Sequence, residues 1–230
     1  MARKTKEEAE ATRVGILNAA ELCFLEEGVF RTTLEHIAAR AGYSRGAVYW
    51  HFKNKLEVLD AVMDRVELPI FSGLQQLTLA GGDWPLRGLR EFLKSAFEEF
   101  ERSPHARNAI EISFLRCEFV EETRAVLVRQ QKGAALALEH MTQAFMQAQR
   151  LRQLRDGLDP AVCAMAIHCM IYGALREWRL NPNTVSLQRD GLTALDAALG
   201  GFAVAGALQE DREATSCRKA GRRAVAPRSR

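Results

Sequence analysis

A chain of 230 residues, 47% of them hydrophobic, is long and apolar enough for one sizeable core or for a small domain joined to a larger one, which excludes disorder of the whole chain. Aromatic residues make up only 7% and prolines number 6, Ala and Leu recur throughout, and no alternating run of Val, Ile and Thr occurs, so the composition points to an all-α protein. A formal net charge of +3 excludes a polycation, and an anionic partner has to be met by a local patch.

No apolar stretch reaches the roughly 18 residues that a membrane span needs, and residues 1–10 are charged rather than apolar, so a soluble cytoplasmic protein without a membrane partner is expected. The cysteines, Cys23, Cys117, Cys163, Cys169 and Cys217, are odd in number and scattered, which argues for reduced thiols rather than a disulfide framework.

In chain order, a first helix is expected from about Lys6 to Glu27, with Ile16, Leu17, Ala20 and Phe24 as its apolar stripe and Gly28 as a left-handed cap. A second opens at Thr32 or Thr33, where Thr32 and Glu35 have capping-box spacing, carries Leu34, Ile37, Ala38 and Ala41 on one face, and stops at Gly42. Ser44 can cap a short third helix through Trp50, with Ala47 and Val48 turned inward, and a fourth begins near Lys55 and runs to about Gln76. Past a loop at residues 80–85, helical patterns follow at about 86–102, 106–119, 121–152, 160–180 and 186–207. From Asp211 onward, basic residues among small and polar ones predict a disordered tail. The expected organisation is thus a DNA-binding part at 1–54, a ligand-binding and dimerisation part at 55–209, and the tail at 210–230.

Residues 31–55 hold five basic side chains, Arg31, Arg40, Arg45, Lys53 and Lys55, against one acid, Glu35. Two short helices joined by Ala41-Gly42-Tyr43-Ser44 have the form of a helix-turn-helix, whose second helix enters the major groove. Arg45 presents the planar fork that fits guanine O6 and N7, and Gly46 lets the backbone approach base edges. Tyr49, His51 and Lys55 suit phosphate oxygens, and Thr33 can add a contact at the start of the second helix. On spacing alone, a generic helical hairpin fits as well, Tyr49 and Trp50 would serve as core aromatics, and Lys53 and Lys55 as a solvated face.

The string Ile37-Ala38-Ala39-Arg40-Ala41-Gly42-Tyr43-Ser44-Arg45-Gly46-Ala47-Val48-Tyr49-Trp50-His51-Phe52-Lys53-Asn54-Lys55 resembles the TetR family signature, over about residues 10–60. The opening Met1-Ala2-Arg3-Lys4-Thr5-Lys6 and the segment Arg116-Cys117-Glu118-Phe119-Val120 resemble the AcrR-like subgroup, which controls multidrug efflux pumps. Tyr43 departs from the pattern, where the family usually has an aliphatic residue. The resemblance implies nine or ten helices, three of them in the DNA-binding domain, with the fourth linking it to the rest. It also places Thr33, Arg45, Gly46, Tyr49, Trp50, His51 and Lys55 on positions that contact operator DNA. Tyr43, Ser44 and Lys53 complete the candidate DNA-facing set.

In the second half, Glu67 is a carboxylate that could pair with a cationic ligand, and Phe71, Phe97, Phe114, Met141, Phe145 and Met170 could line an adaptable apolar cavity or serve as plain core. Cys163, His168 and Cys169 have the spacing of neither a C-x2-C pair nor two ligands one turn apart, so no metal is expected, nor any cofactor. The helices at about 160–180 and 186–207, carrying Ala164, Ile167, Ile171, Ala174, Leu175, Leu192, Leu195, Leu199 and Phe202, are expected to form a homodimer interface, which the family resemblance also implies. No Gly-x-Ser-x-Gly, phosphate-cradling glycine loop or His-Glu-x-x-His supports an enzyme. The expected function is a repressor that binds double-stranded palindromic operator DNA as a dimer, controls an efflux pump operon, and is released by small hydrophobic or cationic inducers; a non-specific binder acting through the basic tail is the rival.

Overall fold

The computed structural model describes residues 6–118 and 124–208, so the expected basic tail lies outside the described residues. Among the described residues there are nine α-helices and no strand: α1 (Lys6–Arg31), α2 (Leu34–Ala41), α3 (Arg45–His51), α4 (Lys55–Ala80), α5 (Pro85–Arg102), α6 (Pro104–Glu111), α7 (Arg124–Arg150), α8 (Pro160–Leu180) and α9 (Leu192–Phe202). Two π-helical turns, Ile112–Arg116 after α6 and Leu187–Gly191 before α9, interrupt what the periodicity alone reads as longer helices. None of these helices is long and apolar enough to cross a membrane.

The stripe Ile16, Leu17, Ala20 and Phe24 is buried as expected, but Gly28 does not form a left-handed cap. Its φ of 80° is accompanied by a ψ of 161°, so the chain steps aside and makes one more turn to Arg31. Thr32 holds that step: its hydroxyl donates to the carbonyls of Gly28 (2.8 Å) and Cys23 (3.3 Å). Thr32 is therefore buried and spent on α1, and Thr33 caps α2, accepting from the His36 N–H at 3.2 Å. The capping box expected between Thr32 and Glu35 is not formed, because His36 and not Glu35 is the third residue of that turn.

Gly42 adopts the left-handed conformation (φ 70°, ψ 22°), and the Tyr43 N–H reaches back to the Ala38 carbonyl at 3.1 Å, which ends α2 sharply. Ser44 accepts from the Ala47 N–H and caps α3; such caps stabilise by about 1 kcal/mol. Asn54 caps α4 by accepting from Glu57 N–H at 2.9 Å. That helix runs past the expected Gln76 to Ala80 and through Pro69, which has no N–H to give the carbonyl one turn earlier.

The core falls into three clusters, which half-buried Val66, Ile70 and Ile171 link. Val58, Leu59, Val62 and Met63 of α4 pack with α1, α2 and α3, and Ala109, Ile112 and Val126 join the same cluster. A second cluster fills the space between α4, α5, α7, α8 and α9, and a third brings Phe97, Phe100 and Ile110 against Leu175 and Trp178. The region expected as a helix to residue 207 ends at Phe202, after which Ala203 pairs with Leu154 in an isolated antiparallel bridge.

Candidate functional site

Val48 is fully buried and Phe52 nearly so, which fixes the rotation of α3 and turns its other side to solvent. Trp50 is 72% exposed and Tyr49 49%, so neither aromatic is a core residue. The Trp50 and His51 rings meet edge to face at 4.5 Å. Arg45, Gly46, Thr33, Ser44 and Lys53 are exposed around them, and a Cβ built on Gly46 would meet nothing within 4 Å. No neighbour among the described residues requires a glycine there, while an outside partner approaching the backbone would.

Among the candidate DNA-facing residues, Arg45, Tyr49 and Lys55 have polar partners inside the protein. The Arg45 guanidinium pairs with the Glu35 carboxylate, and the Tyr49 hydroxyl lies 3.5 Å from the same oxygen. A bond from its own backbone N–H, with the Arg45 charge, holds the Glu35 carboxyl below the usual carboxylate range. Lys55 donates from Nζ to the Phe30 carbonyl at 2.5 Å, at the C-terminal end of α1 where a cation is favoured, and its ammonium stands 5.5 Å from the Phe30 ring. Tyr43 turns inward instead: it packs over α1, its hydroxyl 2.9 Å from where a Cβ on Gly15 would be.

A cavity of about 400 Å³ lies between α4, α5, α6 with its π turn, α7 and α8, within the range of small-molecule sites. Glu67, Phe71, Phe97, Phe114 and Met141 all line it. Phe145 and Met170 do not. Phe145 lies one turn beyond Met141, fully buried with its ring 6.0 Å from that of Phe202. Met170 is two residues on from His168, which places it on the other side of α8, against the second core cluster.

The walls add residues that composition did not single out for a ligand: Phe92, Phe100 and Tyr172, with Ser113, Gln130, Arg129 and His168 as polar points. A helical stripe of His168, Ile171, Tyr172 and Leu175 was the signal for α8. Glu67 is the one carboxylate in the lining, and it is not free for a cation. Arg129 donates to it from Nε (3.1 Å) and Nη2 (2.7 Å), and also reaches Asp64 (2.7 Å) and Asp60 (3.3 Å). Burial opposes the Arg129 charge, but its bonds to Asp64 and Glu67 outweigh that and raise its pKa. His168 stacks on Tyr172 with ring centroids 4.5 Å apart, and its Nε2 is buried with no hydrogen-bond partner among the described residues. Burial pushes the His168 pKa below its ordinary 6.5 and raises that of Tyr172, so both rings are uncharged near neutrality. No group of three potential metal ligands occurs among the described residues.

On α8, Val162, Met165, Cys169 and Tyr172 form an exposed stripe, and on α9 Ala194, Ala197 and Gly201 are exposed. Of the residues that made these helices read as an interface, Ala164, Ile167, Leu175, Leu195 and Leu199 face the chain's own core instead.

A reading helix presented by a helix-turn-helix, above a helical body with an aromatic cavity, defines a ligand-binding regulator of transcription. Residues 16–62 match the bacterial regulatory proteins of the tetR family, and residues 84–203 match the C-terminal region of the MAATS-type transcriptional repressors. The regulator TtgR of Pseudomonas putida is 36% identical over 91% of this chain and all of its own, and the regulator AcrR of Shigella flexneri is 33% identical over 83% of this chain and 88% of its own. SmeT in complex with triclosan superposes with a TM-score of 0.80 at 43% identity, over 87% of this chain and 98% of the other. SmeT is described as the repressor of the Stenotrophomonas maltophilia multidrug efflux pump SmeDEF. The chain belongs to the TetR family, among its AcrR-like members, and these are transcriptional regulators.

Proposed function

We propose that this chain represses the genes of a multidrug efflux pump from the cytoplasm, binding a palindromic operator as a homodimer and leaving it when a small hydrophobic molecule fills the cavity. The observation that carries this reading is the double use of α4. Its first turns, Val58, Leu59 and Val62, belong to the core of the reading head, while Met63, Val66, Glu67, Ile70 and Phe71 along the same helix line the cavity. A ligand that displaces α4 therefore displaces α3. Repression is released when the ligand prefers the displaced state by roughly 1 to 3 kcal/mol, which weakens operator binding about 5- to 150-fold.

Arg45 reads base edges with Gly46 admitting the backbone, and Thr33, Ser44, Tyr49, Trp50, His51, Lys53 and Lys55 hold phosphates around them. Residues 1–54 form the DNA-binding part and 55–209 the part that binds ligand and dimerises, through the exposed stripe of α8 and the small residues of α9. The cavity suits an uncharged aromatic molecule rather than a cation, since Glu67 is neutralised by Arg129 and His168 is neutral. Triclosan, which SmeT binds in its solved complex, is a ligand of that kind. Selection of bound duplexes from a random pool, with and without triclosan, tests the reading: a palindrome is expected to enrich, and to be lost when the ligand is added. Failure to enrich any palindrome would overturn it.

A further inference from the structure

Glu21, on the middle of α1, is a carboxylate with only 3% of its side chain exposed. A buried carboxylate persists only when it is paired, and its partners come from two other helices. From α4, Arg65 donates to Oε1 at 2.8 Å and also holds Asn18 of α1 at 2.9 Å. From α6, His105 Nδ1 lies 2.7 Å from Oε2 and the Asn108 amide donates to the same oxygen at 3.4 Å. The same two helices also line the cavity: Met63 and Val66 flank Arg65, and Ala109 and Ile110 follow Asn108.

We propose that Glu21 is a positioning residue for the reading head: gripped by Arg65 of α4 and by His105 and Asn108 of α6, its carboxylate carries a ligand-driven shift of those helices to α1. The proposal rests on the reading of the cavity as the inducer site. A ligand that parts α4 from α6 cannot leave both sets of donors on one short side chain, whose carboxylate is 3% exposed while its partners are in place. The headpiece is then obliged to follow one helix or the other. Apolar packing between α1 and α4 alone would let the contact slide; a buried charge with directional donors has few alternative positions.

The test uses the full-length protein and three variants, His105→Ala with Asn108→Ala, the same pair with His105→Asn in place of His105→Ala, and Glu21→Gln. Operator affinity is measured by fluorescence anisotropy with and without saturating triclosan, and triclosan affinity by calorimetry without DNA. In the His105→Ala, Asn108→Ala variant Arg65 still pairs with Glu21, so the fold, the ligand-free operator affinity and the triclosan affinity should stay within about twofold of wild type. The weakening of operator binding by triclosan should shrink at least about fivefold, and about as much in Glu21→Gln. Asn at position 105 puts an amide nitrogen where Nδ1 stands and should restore much of the response. A response equal to wild type in the Ala variant and in Glu21→Gln overturns the proposal, as does a loss of triclosan affinity that accounts for the change. A wild-type protein that triclosan does not move from its operator removes the reading of the cavity itself, and the proposal with it.

Discussion

An arginine that reads a base edge has first to leave the carboxylate that holds it, and Arg45 is held by Glu35 while Tyr49 shares the same oxygen. Arg45→Ala should cost the operator complex about 1 to 3 kcal/mol and narrow the gap between operator and scrambled duplex. Glu35→Gln should do the reverse at the non-specific end, raising affinity for the scrambled duplex about fivefold, the size of one charge pair near water. Anisotropy titrations on both duplexes separate the two; equal losses on both for Arg45→Ala would reduce that residue to a phosphate contact. His168 gives a pH test. Its pKa is depressed by burial, so as pH falls through 6.5 the unfolded chain takes up a proton before the folded one does, and stability falls with it. Melting temperatures between pH 7.5 and 5.5 should therefore decline less in His168→Gln than in the wild type. That Arg45, Tyr49 and Trp50 face solvent was legible in sequence because a helix anchored by Val48 has only one other face. The Glu67 partner was not, because Arg129 is 62 positions away and no local pattern links them.

At the level of the element, the departure at Tyr43 has a structural counterpart that spacing could not announce. A large ring in the turn needs room on α1, and Gly15 supplies it: an added Cβ there would lie 2.9 Å from the Tyr43 hydroxyl and 3.1 Å from its ring. Gly15→Ala should raise helix propensity yet destabilise the protein by about 1 to 3 kcal/mol through overpacking. In a Tyr43→Val background the same change should become neutral or stabilising, which chemical denaturation of the four members of the cycle would measure. An additive cycle would show that the two residues are not a packing pair. Other elements differ from expectation for reasons of the same kind. Adjacent threonines at 32 and 33 offer identical side chains, and only the buried carbonyls of Cys23 and Gly28 decide which of them caps α2. The π turns at Ile112–Arg116 and Leu187–Gly191 add a residue to a turn without altering composition, so a period of 3.6 runs through them unmarked. Helices α3 and α8, by contrast, have the expected starts because Ser44 and Asp159 cap them with their own side chains.

For the whole molecule, reading and sensing make different demands on assembly. Helices α4 to α8 of a single chain supply the described walls of the cavity, with Tyr172 standing both in those walls and on the exposed stripe of α8. A palindrome, however, needs two reading heads at a fixed separation, and one short α3 supplies too few contacts to hold a site at low concentration. The exposed stripe of Val162, Met165 and Tyr172 is where a second copy would cover apolar surface. A lysine in the middle of that stripe would bury an unpaired charge in the apolar contact between two copies. Met165→Lys should therefore give a folded monomer by sedimentation, melting below the wild type and without its dependence on protein concentration. Operator affinity should drop by at least two orders of magnitude, roughly the contribution of a second half-site, while triclosan affinity measured without DNA stays near that of the wild type. A monomer that kept full operator affinity would remove the two-headed reading, and one that lost triclosan binding would show that the cavity depends on the partner subunit after all.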